Sequence, residues 1–294
     1  MIRVRILLPL IALVVAPASL PAQAATPFTL ESYPAEPRQG SLLQLFVSVP
    51  GAEPGSAVLG TLAGEPLHFS PDPGRDGVFR ALGAVPLSAS DSATVHLAVI
   101  RGGLLESGTA RVRVMPRLAP RGERLRAPAR FTPPPDSVLQ ARIARERTLA
   151  RAAYGRAHAI PPLWRGAFLR PRDSRVTSPF GAGREVNGVW RSTHSGLDLA
   201  GASGAPVRAA QRGVVALIGD FFYGGNSIYL YHGAGLMTMY QHLSRVLVAP
   251  GDTVQRGQVI GRVGATGRVT GPHLHWEAHY GRVAFDPTDL LSLP

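Results

Sequence analysis

The chain has 294 residues, 45% of them hydrophobic and 17% charged, with a formal net charge of +12. That length can hold two ordinary domains, and the composition is that of a globular protein rather than a disordered one. There is no cysteine, which excludes a disulfide framework and a thiolate-bound metal; all 31 basic residues are arginine, which excludes the phosphate-loop, Schiff-base and biotin- or lipoate-carrying lysines.

At the N-terminus, Arg3 and Arg5 precede an apolar run from Ile6 to Val15, and Ala22-Gln23-Ala24 follows as an A-x-A site. Residues 1–24 therefore read as a signal peptide removed on export. Pro9 and Pro17 interrupt the run, which is shorter than the ~20 residues a membrane span requires. The expectation is an exported protein of the periplasm or cell envelope, with no stable membrane anchor after cleavage. There the positive charge suits cell-wall carboxylates or envelope phosphates, or simply maintains solubility. Nucleic acid is not an expected partner, because the arginines are not interleaved with aromatics as a stacking platform requires.

From Thr26 to Met115, short apolar runs alternate between Gly and Pro turns. Leu42–Val49, Val78–Leu87, Thr94–Ile100 and Ala110–Met115 read as strands of a small β-sandwich. His68 and His96 lie among them as ordinary strand residues. Pro116 to Pro135 is an Arg/Pro-rich linker. Pro133-Pro134-Pro135-Asp136-Ser137 then caps a helix expected to end near Tyr154 with Gly155 as its stop, burying Leu139, Ile143, Leu149 and Ala153. His158, just beyond, is assigned no role. After Leu163 the chain returns to β character, with candidate strands Val207–Ile218, Ser227–His232, Leu236–Leu243, Val254–Val263 and Leu274–Tyr280.

The chemistry concentrates in this last part. In His273-Leu274-His275, two imidazoles two residues apart on a strand project to one face, their Cα atoms roughly 6.8 Å apart. Upstream, His194 and Asp198 are four apart and share a face on a strand by even spacing or on a helix by one turn. Two such pairs supply imidazole nitrogens and a carboxylate, the ligand chemistry of a catalytic zinc that keeps one position open for water. Spacing alone does not tell His273 from His275. His275, Glu277 and His279 form a rival trio, but three same-face residues spread over roughly 13 Å of strand, too far for one ion. Glu277 is better suited to orienting an imidazole. His232 reads as structural. Tyr240, two before His242 on the same expected strand face, either helps hold it or the substrate, or is a core tyrosine.

Ser178-Pro179-Phe180-Gly181, His194-Ser195-Gly196-Leu197-Asp198, Tyr240-Gln241-His242-Leu243-Ser244 and Gly271-Pro272-His273-Leu274-His275-Trp276-Glu277 occur in this order. Together they closely resemble the LytM/lysostaphin-like zinc metallopeptidases, which cut peptide bonds in bacterial peptidoglycan. The resemblance covers Leu163 to Leu290. It implies His194, Asp198 and His275 as ligands of Zn2+ and His242 and His273 as catalytic histidines that do not bind the metal. The expected architecture is all-β dominated: an N-terminal β-sandwich (25–116) that gates the groove or helps position substrate, a linker and connecting helix (117–162), and a C-terminal, mostly antiparallel β catalytic domain of LytM/lysostaphin type (163–294). The implied activity is a zinc metalloendopeptidase acting on peptidoglycan peptides at D-alanyl–diaminopimelate cross-links. The alternative is a catalytically inactive envelope protein that binds the wall or activates an amidase. Protein partners are unknown, and no residue before Leu163 identifies itself as one that blocks the site.

Other motifs fail. His275-Trp276-Glu277 fits the H-x-E of nucleobase deaminases, but those also need a P-C-x-x-C. No G-x-S-x-G supplies a serine-hydrolase elbow. Gly251 to Gly261 is similar to half of a biotin or lipoate carrier, which cannot function without lysine.

Overall fold

The computed structural model describes residues 28–118, 120, 122–126, 131, 136–188 and 190–293. The signal-peptide reading of residues 1–24 and the Pro133–Pro135 part of the helix cap lie outside them.

Eight strands form the N-terminal part: β1 (Thr29–Tyr33), β2 (Leu42–Ser48), β3 (Ala57–Leu62), β4 (Glu65–Leu67), β5 (Ser70–Pro71), β6 (Val78–Ala84), β7 (Ser92–Arg101) and β8 (Leu104–Arg113). They make two four-stranded antiparallel sheets, ordered β1-β2-β6-β5 and β4-β3-β7-β8, and thus the expected sandwich. Along β2 and β7, Leu43, Leu45, Val47, Val95, Leu97 and Val99 alternate inward, as period-two side chains must in a sheet with one face on the core. His96 is exposed on β7, as expected. His68 lies between β4 and β5 rather than on a strand, and its Nε2 lies 2.9 Å from His158 Nδ1, whose Nε2 in turn meets Glu65 Oε2 at 3.0 Å. His158 thus joins the helix end to the sandwich.

The linker contributes β9 (Glu123–Leu125), and the connecting helix α1 spans Ser137–Arg156 with the Asp136 side chain accepting from Leu139 N at 2.8 Å. The helix runs through Gly155 instead of stopping there. Ala153 and Ala157 are fully buried against Tyr229, Tyr231, Met237 and Met239, and that packing outweighs the weak helix propensity of one glycine. The buried face follows Ile143, Ala150, Ala153 and Ala157, which turns Leu149 out to 53% exposure, contrary to expectation.

The C-terminal part comprises β10 (Val176–Ser178), β11 (Gly183–Val186), β12 (Trp190–Thr193), β13 (Leu197–Ala200), β14 (Pro206–Arg208), β15 (Gly213–Phe221), β16 (Gly225–Gly233), β17 (Leu236–Val246), β18 (Thr253–Val254), β19 (Val259–Val263), β20 (His273–Tyr280) and β21 (Val283–Phe285). A ten-stranded sheet runs β10-β13-β20-β17-β16-β15-β18, with β14, β19 and β21 attached, and its pairings are antiparallel. A smaller sheet, β12-β11-β9, stands beside it. β20 lies between β13 and β17; Leu274, Trp276, Ala278 and Tyr280 fill the core, while His273, His275, Glu277 and His279 occupy the other face.

One apolar cluster runs from Phe28 and Leu45 in the sandwich through to Trp276 and Leu293. Polar contacts fix the same junction. Asp289 Oδ2 accepts from Leu42 N at 2.8 Å, Gly40 O accepts from Asp286 N at 2.8 Å, and Arg117 Nη1 meets Asp286 Oδ2 at 3.0 Å. No helix among the described residues is long and apolar enough to cross a membrane.

Burial, with help from the Asp286 charge, pushes the Asp289 carboxyl up to about 6 despite the Leu42 N–H and Arg117. A folded-state pKa above the unfolded value means stability is full below about 4 and falls as pH rises through about 6. Asp289→Asn should therefore stabilise the protein at pH 7.5 relative to wild type by on the order of 1 kcal/mol more than it does at pH 4. Denaturant melts at the two pH values test this, and an effect independent of pH would refute it.

Candidate metal centre

The antiparallel register sets Asp198 on β13 directly opposite His275 on β20. Directly opposed side chains have Cβ atoms about 4.5–5.5 Å apart, so a carboxylate and an imidazole 77 positions apart in sequence meet, with Asp198 Oδ1 2.7 Å from His275 Nδ1. His194 arrives differently. It precedes β13 in a loop fixed by its N–H to Ala182 O at 2.8 Å and its C=O to Gly181 N at 2.9 Å. His194 and Asp198 therefore do not share a face of one regular element, as their spacing had suggested; a bend at Ser195-Gly196 folds one over the other. Gly196 permits this, because a Cβ there would lie 2.6 Å from Trp276 O and 2.8 Å from His275 Cε1. His194 Nε2 then lies 3.0 Å from both Asp198 Oδ1 and His275 Nδ1.

Among the described residues, His194, Asp198 and His275 are the group whose donor atoms could hold one metal ion, and all three side chains are buried. Each far side is fixed. His194 Nδ1 lies 2.8 Å from Pro179 O and 3.0 Å from Ser178 Oγ. Because a carbonyl only accepts, that nitrogen carries the hydrogen and Nε2 offers its lone pair inward. His275 Nε2 lies 2.8 Å from Glu277 Oε1, which also accepts from Ser195 Oγ at 2.5 Å. Glu277 is thus behind His275, on the opposite ring nitrogen, and the rival trio does not form. Glu277 Oε2 continues to His279 Nε2 at 3.1 Å, and the His279 ring stacks on Tyr154 of α1, centroids 4.8 Å apart.

The electrostatics favour positive charge at this point. Burial opposes the charged forms, yet bonds from His194 and His275 hold Asp198 far below the usual carboxylate range, and His275 and His279 do the same for Glu277. Burial also opposes charge on His275, but Asp198 and Glu277 raise it to about 9. With Glu277 on the Nε2 side, the proton on His275 Nδ1 faces Asp198 Oδ1 and His194 Nε2, a donor set that suits a cation in that proton's place.

His273 and His242 complete the cluster. His273 Nε2 is 3.7 Å from Asp198 Oδ1, and its ring centroid is 4.9 Å from that of His242. Their Nδ1 atoms lie 2.9 Å from Gly271 O and Thr266 O respectively, so both present an Nε2 lone pair to the groove. Burial, then neighbouring imidazoles, drives His242 well below its ordinary value; burial leads the lowering at His273 as well. His242 adopts φ 64° where Gln241 and His242 oppose the single Ser227, a bulge in the β16–β17 pairing. The bulge breaks the strand alternation. Tyr240 consequently faces the core, fully buried, with its hydroxyl accepting from Ala210 N at 2.8 Å. His232 is also structural, bonded to Arg212 O and Thr238 Oγ1 at 2.8 Å each.

The cluster floors a groove of about 530 Å³ whose walls include Tyr223, Gln241, Arg268 and, from the linker, Glu123 and Leu125. Beside this groove, Pro86, Leu87 and Ser88 of the sandwich line an adjoining depression that shares Thr193, His194 and Ser195 with it, so the linker and the sandwich both border the site. Arg184 on β11 also reaches the centre: Nη2 donates to Asp198 Oδ2 and, at 2.9 Å, to Ser178 Oγ. No sequence signal marked Arg184 or Glu123, whereas Ser178 stood in a quoted motif without a role.

A family description, peptidase family M23, matches residues 192–287, the stretch that carries all five histidine and aspartate positions of the cluster. A crystal structure of a Pseudomonas aeruginosa protein described as a peptidase M23 is 31% identical, covers 87% of this chain and 96% of that one, and superposes with a TM-score of 0.66. The chain belongs to peptidase family M23. Two curated M23-region relatives are the DD-carboxypeptidase/endopeptidase Mpg of Neisseria meningitidis, 42% identical over 41% of this chain and 28% of that protein, and the peptidoglycan DD-endopeptidase ShyA of Vibrio cholerae, 46% identical over 38% and 27%. The matches span just over a quarter of those relatives' length.

Gly196→Ala should displace His275 and lower both the thermal midpoint and the metal content of the purified protein, at a cost of about 1–3 kcal/mol. Wild-type melting and metal content in that variant would refute the close approach.

Proposed function

We propose that this chain is an exported zinc metalloendopeptidase that hydrolyses peptide cross-links of peptidoglycan, in a diderm envelope the D-alanyl–diaminopimelate bond. The observation that carries the reading is the convergence of His194 Nε2, Asp198 Oδ1 and His275 Nδ1 at the floor of an open groove, beside two imidazoles with inward lone pairs. Two nitrogens and one carboxylate oxygen are a catalytic zinc donor set with a position left for substrate or water. The peptidoglycan endopeptidase names of the curated relatives support the substrate class.

Zinc, when bound, supplies Lewis acidity toward water and the scissile carbonyl. The protein supplies proton handling and orientation. His273, neutral and hydrogen-bonded through Nδ1 to Gly271 O, accepts the proton of the attacking water at Nε2. His242 is held through Nδ1 by Thr266 O, so its neutral form is also an acceptor at Nε2, and it donates to a developing oxyanion only after taking up a proton there. Glu277 holds the His275 ring in place. The complete donor set weighs against the inactive, amidase-activating alternative.

His273→Ala should keep its zinc while the release of peptide fragments from purified sacculi, followed by mass spectrometry, falls by about 100-fold or more. Undiminished release by that variant would refute the catalytic assignment. A wild type that releases nothing yet stimulates an amidase would favour the activator.

A further inference from the structure

We propose that Arg184 is a positioning residue for the metal centre and that Glu123 of the linker strand holds it there, so that the linker helps set the affinity of the centre for its ion. The inference rests on reading His194, Asp198 and His275 as a zinc site, and it concerns residues outside the 192–287 segment that the family description covers.

Asp198 divides its two oxygens. Oδ1 faces His194 Nε2 and His275 Nδ1, while Oδ2 is bonded by the Arg184 guanidinium. A carboxylate bonded through one oxygen is restrained about its Cβ–Cγ bond, so Arg184 keeps Oδ1 aimed at the point where His194 Nε2 and His275 Nδ1 meet. The same Nη2 donates to Ser178 Oγ at 2.9 Å, and that hydroxyl lies 3.0 Å from His194 Nδ1. One guanidinium therefore orients one donor residue directly and a second through a hydroxyl. Such contacts behind the donors tune metal affinity as well as geometry.

A positive group beside a cation site weakens cation binding unless its charge is offset. Here the offset is Glu123. β9 pairs in parallel with β11, with Glu123 in register with Arg184, and Glu123 Oε2 accepts from Arg184 Nε at 3.2 Å. The guanidinium is thus suspended between a linker carboxylate and a carboxylate of the centre, with both side chains of the Arg184–Glu123 pair largely buried. The planar fork of arginine is what allows one side chain to serve Glu123, Ser178 and Asp198 together. Glu123 and Leu125 also wall the groove, so displacement of the linker strand would alter the groove and the metal centre at once.

The test measures zinc affinity of the full chain by competition with a chromophoric chelator, alongside thermal melting and saturating-zinc hydrolysis. Wild type should bind zinc stoichiometrically. Arg184→Ala should weaken binding by about 10- to 100-fold, Arg184→Lys should restore part of that loss, and the isosteric Glu123→Gln should weaken binding by several-fold to about 10-fold at an unchanged melting temperature. Affinities equal to or tighter than wild type in Arg184→Ala and Glu123→Gln would overturn the positioning role while leaving the zinc site intact. A lower melting temperature with unchanged zinc affinity would assign the pair to the fold alone and overturn the proposal. Absence of zinc binding in wild type would overturn the zinc reading itself, and this inference with it.

Discussion

The opposition of Asp198 and His275 across β13 and β20 is the constraint on which the rest of the site depends. It brings a carboxylate and an imidazole together by sheet register rather than by loop geometry, and register is strongly specified because β20 buries Leu274, Trp276, Ala278 and Tyr280 on its other face. A slip by one residue would send His275 into the core and Trp276 into the groove. The apolar core therefore fixes the polar cluster. His194 then needs only a short loop, and Gly196 the absence of a side chain, to close the triangle of donor atoms.

Much of this was legible in the residues themselves. The alternation from His273 to Tyr280 announced a strand with a polar and an apolar face, and the ordered motifs pointed to the residues that converge. The β-sandwich, the helix and the antiparallel C-terminal sheet follow from period-two patterning and an Asp cap. What was not legible depended on contacts between distant segments. Tyr240 could not be placed on the core side without knowing that a bulge at Gln241 and His242 breaks the alternation. Gly155 read as a helix stop because the pocket of Tyr229, Tyr231, Met237 and Met239 that pulls the helix onward is assembled from later strands. Leu149 is apolar yet exposed because the helix face is set by that same pocket.

The arginine-only composition takes on specific meaning at the buried positions. Arg117 ties the end of the sandwich to Asp286, and Arg184 stands between Glu123 of the linker and Asp198 of the candidate metal site. Both use several donors of one planar group, which a lysine ammonium would not reproduce in the same geometry. Within the linker, Glu123 and Leu125 thereby become walls of the groove and Glu123 a contact of Arg184, while the sandwich is held to the C-terminal part through a shared apolar core.

The most direct test is elemental analysis of the purified protein together with its Asp198→Ala variant. One zinc per wild-type chain and none in the variant is the predicted result. A folded wild type without zinc, or a variant that keeps its full complement, would contradict a centre built on His194, Asp198 and His275.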